Sequence, residues 1–265
     1  MVTATDPGAG LLTVVATFAG VLARIFTLAA VLPVLGHNAV PARIRVALAF
    51  GMSLLLLPIL PVLPFGLVDE PIALAIALTR EALVGLVLGI IARLAFDAVL
   101  FAGEASGMLM GLTIASIIDP ALGERSSIIA QLMNGVAFAL FLTLDGHHEL
   151  LRVMVGTFEW IPFGQASISP ELVTGVVGII ADMIVAGLRI GGPLIAILFL
   201  FQALMGVVAR AVPQMGMFFN VAFVAAVALG LSLLGSTMPA WSDAAQVWQD
   251  DVLSRLAGAA RGLGD

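Results

Sequence analysis

The chain has 265 residues, of which 61% are hydrophobic and 11% are charged, and its net charge is −6 at neutral pH. Soluble domains average about 45–50% apolar and about 25% charged residues, so this composition predicts an integral membrane protein. The acidic balance argues against a nucleic-acid partner, and the absence of cysteine excludes disulfides and thiolate metal sites.

Two apolar segments are predicted in the first quarter of the chain. No cleavable signal peptide is expected ahead of them, because the first residues carry no positive charge and the apolar stretch behind them is too long. The first segment, from Leu11 to Leu32, exceeds the roughly 20 residues that cross a membrane. The second, from Val46 to Leu63, has prolines at three-residue spacing, so its far end is expected to be extended backbone.

The third apolar segment, which follows a turn at 69–71, carries charged residues and glycines at four-residue spacing. Residues four apart lie along one side of a helix, and glycines there let another backbone approach closely. Charged side chains at this depth are rare unless they face protein or a wet cavity. Both a packing seam and the lining of a conduit fit this face, whose members are Glu81, Gly85, Gly89, Arg93 and Asp97.

A second series of glycines at four-residue spacing continues the same helix and lies on a different side of it. Its members are Gly103, Gly107 and Gly111. The helix is predicted to end at Asp119-Pro120, because a residue before proline is disfavoured in helical geometry. Ser126 and Ser127 are expected to cap the next apolar run, Ile128 to Leu144.

The segment 145–171 is the longest polar stretch, and its aromatic residues suit a membrane interface. These aromatic residues are Phe158, Trp160 and Phe163. The same segment contains His147-His148-Glu149, a cluster of metal-ligand type. Adjacent histidines on a helix point about 100° apart, whereas metal-binding helices use ligands three or four residues apart. With only Asp145 or Glu149 as a third ligand, we expect interfacial polar residues here and no metal.

The region from Leu172 to Ala209 is apolar for too long a stretch to be one ordinary span. A straight helix of this length would be roughly 57 Å long, against about 30 Å for the hydrocarbon core. The region is therefore either a tight hairpin bent at Gly191-Gly192-Pro193 or a kinked helix that rises outside the lipid. Its charged residues, Asp182 and Arg189, share a face, and a last apolar block from Met215 to Leu234 precedes an acidic tail.

Enzyme motifs are missing from the sequence, since neither a phosphate-binding glycine loop nor a nucleophile motif occurs. We expect no catalytic residue and no cofactor. A small secondary transporter is the alternative from another class, because such proteins have interrupted helices with ionisable residues near the midplane. The Gly-Gly-Pro sequence near Asp182 and Arg189 fits part of that signature, although no convincing repeat relates the two halves.

Three motifs resemble the FliR family of flagellar biosynthetic proteins, whose virulence counterparts are called SctT. They are AGEASGMLMGLTIASIIDPALG, LFLTLDGHHELLRVMVGTFEWIPFG and GVVARAVPQMGMF. The matching residues are Ala102, Gly103, Gly111, Leu112, Ala115, Asp119, Pro120, Gly146, His147, Leu150, Leu151, Phe158, Pro162, Gly164, Gly206, Arg210, Pro213, Gln214 and Phe218, with Pro41 and Arg45 further upstream. Val221 and Phe223 stand where the family usually has a glycine and a proline, so this chain departs from the family at the place where a helix break is expected.

The resemblance implies an all-α membrane protein of broken or kinked helical hairpins, with about six hydrophobic segments in one membrane domain. Residues 1–165 would form a FliP-like part, and residues 166–265 a FliQ-like hairpin and tail. The implied function is that of a channel subunit of the flagellar type III export gate in the bacterial inner membrane, which passes unfolded proteins. Its implied partners are FliP-like, FliQ-like and FlhB-like subunits. The equivalent SctT subunit of a virulence system is the alternative within the family.

The family also implies a role for segment 111–123, which would contribute a plug that closes the channel. A buried hairpin turn is the structural alternative for this segment. The plug residues would be Gly111, Leu112, Ile114, Ile117, Ile118, Asp119 and Pro120. Helix packing or subunit contacts are expected of Glu81, Gly85, Gly89, Arg93, Asp97, Gly103, Gly107, Arg210, Pro213 and Gln214.

Overall fold

The computed structural model of this chain is all-α, as the sequence predicts, since its described residues form helices and no strand. The structure describes residues 7–32, 41–60, 70–112, 127–166, 170–211 and 220–237, with Ser254 and Gly258. Within them the helices are α1 (Pro7–Val31), α2 (Ala42–Leu56), α3 (Pro71–Leu109), α4 (Ile128–Thr143), α5 (Gly146–Trp160), α6 (Pro170–Ala211) and α7 (Asn220–Thr237).

Five of these helices are long and apolar enough to cross a membrane. They are α1, α2 with its final turn, α3, α6 and α7. Helices α4 and α5 form a bent pair with an angle of 70°, which gives six segments when the pair counts as one span. The expected number of about six hydrophobic segments is confirmed.

The end of α2 differs from the extended backbone that its prolines predict. Leu57–Ile59 form a turn of 3₁₀ helix, with Pro58 at its start, and only Leu60 is extended. Proline fixes φ near −65°, a value that the first turn of a helix accepts, so Pro58 tightens the helix before the chain leaves it. The prolines at 61 and 64 lie outside the described residues.

Helix α3 ends about ten residues earlier than Asp119-Pro120, so the prediction of a longer helix is wrong. Gly111 has a φ of 78°, in the left-handed region that favours glycine at the end of a helix. The N–H groups of Gly111 and Leu112 donate to the carbonyls of Met108 and Gly107 and so satisfy the last turn. Gly111 is therefore a helix terminator, whereas Gly103 and Gly107 lie within α3.

Both ends of α4 follow from local sequence signals. The Ser127 hydroxyl accepts a hydrogen bond from the N–H of Ala130 at 3.1 Å, which confirms Ser127 as the N-cap. At the other end Asp145 adopts a φ of 56°, which breaks the helix before α5 begins. Aspartate tolerates this left-handed conformation better than most residues, because its short side chain bonds locally.

The long apolar region near the C-terminus is one helix, α6, with Pro193 inside it, so a tight hairpin at Gly-Gly-Pro is excluded. At 1.5 Å per residue, its 42 residues extend over about 63 Å. Helix α7 likewise runs through Val221 and Phe223 without a break.

The chain divides into two compact units, each with its own apolar core. The first contains Met1–Arg93, His147–Ile179 and Asp251–Asp265, and the second contains Leu94–Gly146 and Ile180–Asp250. In the first unit the core joins α1, α3 and α5, and its buried members include Val21, Ile25, Leu88, Met154 and Ile161. In the second it includes Ala102, Met110, Met133, Leu198 and Leu234. The FliP-like and FliQ-like division near residue 165 stays a prediction.

Candidate functional site

A buried ion pair joins α1 to α3 in the first unit. The Arg24 side chain donates from Nε to Oε2 of Glu81 at 2.7 Å, and its terminal Nη2 lies 2.5 Å from the same oxygen. Both side chains are 0% exposed. A buried charge is tolerated only when it is paired and hydrogen-bonded, so these two residues depend on each other.

The remaining polar atoms of the pair are bonded to the end of α5 and the residues after it. Arg24 donates from Nη1 to the Thr157 hydroxyl at 3.0 Å and from Nη2 to the Ile161 carbonyl at 3.3 Å. The N–H of Gly164 donates to Oε1 of Glu81 at 2.9 Å. The guanidinium also lies 4.0 Å from the centre of the Phe158 ring, in cation–π geometry. One ion pair thus holds three parts of the chain together.

Small residues bring the backbones close enough for this pair to form. A Cβ on Gly85 would overlap the carbonyl oxygen of Arg24, and one on Gly89 would lie 3.1 Å from the carbonyl oxygen of Leu28. A Cβ on Gly20 would lie 2.9 Å from the ring of Phe163. Gly85 and Gly89 therefore set the close approach of α1 and α3, as expected where small residues line a helix interface, and Gly20 leaves room for the Phe163 ring.

The predicted five-residue face of α3 does not remain on one side of the helix. Glu81, Gly85 and Gly89 are buried, Asp97 is half-buried and Arg93 is exposed. Each four-residue step advances about 400° around a helix of 3.6 residues per turn, so the face rotates by roughly 160° over four steps. Only its first half packs on α1.

The aromatic residues expected at a membrane interface belong instead to the buried surroundings of the Arg24–Glu81 ion pair. Phe158 and Phe163 are buried, with ring centroids 5.5 Å apart, and Trp160 is half-buried. The interface prediction is wrong for both phenylalanines, because they pack around the Arg24 side chain. The sequence signal for this site was an arginine that is the only charge in the first apolar segment and a glutamate among the charged residues of the third, since charges in such segments pair with each other.

A second glycine-packed contact joins α3 to α4 in the second unit. A Cβ on Gly103 would collide with the backbone of Ala130, and one on Gly107 would collide with the Ser127 hydroxyl. The N–H of Ser127 donates to Oε1 of Glu104 at 3.0 Å. The end of α3 and the start of α4, which border residues 113–126, are therefore held side by side.

Few residues of the predicted plug fall within the described part of the chain. Gly111 and Leu112 are half-buried, and Arg210 is exposed in the last turn of α6. The other predicted residues lie outside the described residues, namely Ile114, Ile117, Ile118, Asp119, Pro120, Pro213 and Gln214.

The turn between α4 and α5 brings together side chains of metal-ligand type. Potential ligand atoms of Asp145, His147 and His148 all lie within 4.8 Å of one another. The two imidazole centroids are 4.1 Å apart, with an interplanar angle of 37°, so the two rings lie close together although the residues are neighbours on a helix. Glu149, the other candidate ligand, forms an ion pair with Arg152.

These observations define a multi-pass helical membrane protein with a buried Arg24–Glu81 ion pair and a glycine-packed contact between α3 and α4. The model of a protein family described as bacterial export proteins, family 1, matches residues 15–251. Three relatives named flagellar biosynthetic protein FliR are similar over most of their length. They come from Escherichia coli K12 (31% identical, 82% of each chain), Bacillus subtilis 168 (32%, 75% of this chain and 77% of the relative) and Caulobacter vibrioides (30%, 87% and 90%).

The chain therefore belongs to bacterial export proteins, family 1, the family of the FliR flagellar biosynthetic proteins. It is a multi-pass inner-membrane subunit of a flagellar export apparatus, in a family of export proteins rather than of enzymes. The resemblance read from the sequence motifs is confirmed.

Proposed function

We propose that the chain is a channel subunit of the flagellar type III export gate and that its segment 111–123 closes the channel. The observation that carries this proposal is the glycine-packed base of the segment, where α3 and α4 meet. Gly103 and Gly107 hold the chain before the segment against Ser127 and Ala130 after it. A segment fixed at both ends keeps its position in the channel even when its middle moves.

Closure would depend on apolar side chains and on glycine conformational freedom. The segment contains Ile114, Ile117 and Ile118, which would exclude water and ions as other hydrophobic constrictions do. Gly111, in its left-handed conformation, allows the sharp change of direction with which the segment begins. An unfolded substrate would displace the segment, and the energy for transport would come from other subunits.

Deletion of Ile114–Asp119 is expected to raise ion conductance through the assembled complex from background to a clear leak, because the apolar constriction is lost. The measurement is the conductance of inner-membrane vesicles that contain the complete export gate. Ile128→Ala is the control, since Ile128 lies beyond the segment with 70% of its surface exposed. Background conductance with the complex assembled would show that the segment is not the plug.

The exposed side of α6 supports assembly with other membrane subunits. Asp182, Arg189, Ala196, Ala203 and Arg210 recur every seven residues and are all exposed. Large apolar residues are exposed beside them, namely Leu188, Ile197, Phe199, Leu200, Leu204 and Val207. In lipid the charges would be unfavourable, and outside lipid the apolar residues would be unfavourable, so protein must cover this surface in either setting.

The charges on this surface favour a different chain over a second copy. Two copies have the same orientation in a membrane, and packing them along this face would place Arg189 near Arg189 and Asp182 near Asp182. A FliP-like or FliQ-like helix with an acidic side chain opposite Arg189 avoids that repulsion. FlhB-like subunits remain the third proposed partner.

A photo-crosslinking amino acid placed at position 196 or 203 is expected to form adducts with FliP-like or FliQ-like subunits, because the small side chains there allow close helix approach. The measurement is mass spectrometry of the crosslinked export gate. The control is the same variant expressed without those subunits. An assembled gate that forms adducts with lipid alone would contradict the proposed surface.

The transporter alternative loses the feature that favoured it. That alternative requires an interrupted helix near Gly191-Gly192-Pro193, and α6 is continuous through these residues.

A further inference from the structure

We propose that the turn between α4 and α5 binds a divalent transition-metal ion through Asp145, His147 and His148. This inference does not depend on the export function. The three residues lie within residues 145–148, outside the segment that is proposed as the plug. The ligand class is two imidazole nitrogens and one carboxylate oxygen.

Two features of the turn support a metal site. Potential ligand atoms of the three residues lie within 4.8 Å of one another, close enough for small side-chain rotations to bring them around one ion. The buried Nδ1 of His147 has no hydrogen-bond partner in the part of the chain that the structure describes. A buried nitrogen without a partner is unfavourable, and coordination of a metal would satisfy it.

The backbone conformation explains how neighbouring residues converge here. Asp145 lies in the left-handed region, with a φ of 56°, so its side chain does not continue the spiral of α4. His147 and His148 follow in the first turn of α5, with their ring centroids 4.1 Å apart. The i, i+3 spacing rule for a continuous helix therefore does not apply, because the first ligand precedes the helix.

The donor set selects a class of ion. Two imidazoles and a carboxylate suit Zn²⁺, Cu²⁺ or Ni²⁺, whereas Mg²⁺ and Ca²⁺ prefer oxygen ligands alone. Asp145 and His148 are exposed and His147 is half-buried, so water can complete the coordination. Glu149 does not belong to this group of neighbouring ligand atoms, and it forms an ion pair with Arg152.

The test is zinc binding by the full-length protein, purified in detergent without a polyhistidine tag. Zinc is added, excess is removed by gel filtration, and the retained metal is measured by atomic emission. We expect about one zinc ion per chain and a higher unfolding temperature with zinc, because a ligand that binds the folded state stabilises it. No retained zinc, or zinc retained without a shift in unfolding temperature, would overturn the proposal.

Matched variants separate this site from adventitious binding. Asp145→Asn preserves the left-handed conformation, which asparagine also tolerates, and should weaken zinc binding by at least about tenfold. His147→Ala should abolish retention. His37→Ala and Glu149→Gln should retain zinc as the unchanged protein does. Equal retention by all four variants would mean adventitious binding only and would overturn the proposal.

Discussion

Arg24→Met is expected to destabilise the protein by about 3–5 kcal/mol, because it leaves the Glu81 carboxylate buried without its counter-charge. Since proteins are stable by only about 5–15 kcal/mol, the amount of folded protein in the membrane should fall sharply. Glu81→Gln should have a similar effect, since it leaves the Arg24 guanidinium uncompensated. The measurement is the free energy of unfolding in mixed micelles, together with the protein level in membranes.

Two controls test the physical reason. Arg152→Met removes the basic member of an exposed ion pair, whose side chains are 74% and 38% exposed, and should change stability by less than about 1 kcal/mol. A double variant, Arg24→Met with Glu81→Leu, should recover much of the lost stability, because apolar residues can replace a buried ion pair. A double variant less stable than both single variants would mean that the pair is not the cause.

The helices could be predicted from the sequence, since composition and apolar length alone indicate membrane-spanning segments. The Ser127 cap was also predictable, because an N-cap depends on residues that are neighbours in the chain. The same local logic explains the error at α3. Both Gly111 and Asp119-Pro120 are helix-ending signals, and the sequence does not rank them, whereas the structure places the end at Gly111.

The partners of the buried charges could not be predicted, because they depend on tertiary contacts. Arg24 and Glu81 are 57 residues apart, and Arg24 and Thr157 are 133 apart. Nothing in the local pattern distinguishes a glutamate that binds an arginine in α1 from one that lines a conduit. The phenylalanines near 160 show the same limit, since an aromatic residue in a polar stretch suits both an interface and a small buried core.

Gly103→Ala is expected to destabilise the protein by roughly 1–3 kcal/mol, because the added methyl group forces α3 and α4 apart. The new Cβ would lie 3.0 Å from the backbone N and the Cβ of Ala130 and nearer still to its Cα, and a backbone cannot yield as a flexible side chain does. Because this contact lies at the base of segment 111–123, which we propose closes the channel, the variant should also increase ion leakage through the assembled export apparatus. The measurements are the free energy of unfolding and vesicle conductance.

Gly135→Ala is the matched control, since Gly135 lies in α4 and a Cβ there would have no atom within 4 Å. The same chemical change should now stabilise the protein by about 0.5–1 kcal/mol, because alanine loses less conformational entropy than glycine in a helix. The two substitutions should therefore change stability in opposite directions, and only Gly103→Ala should cause a leak. A leak in Gly103→Ala without loss of stability would place the effect in segment 111–123, which we propose as the plug. Equal stabilisation by both substitutions would show that α3 and α4 do not pack closely at Gly103.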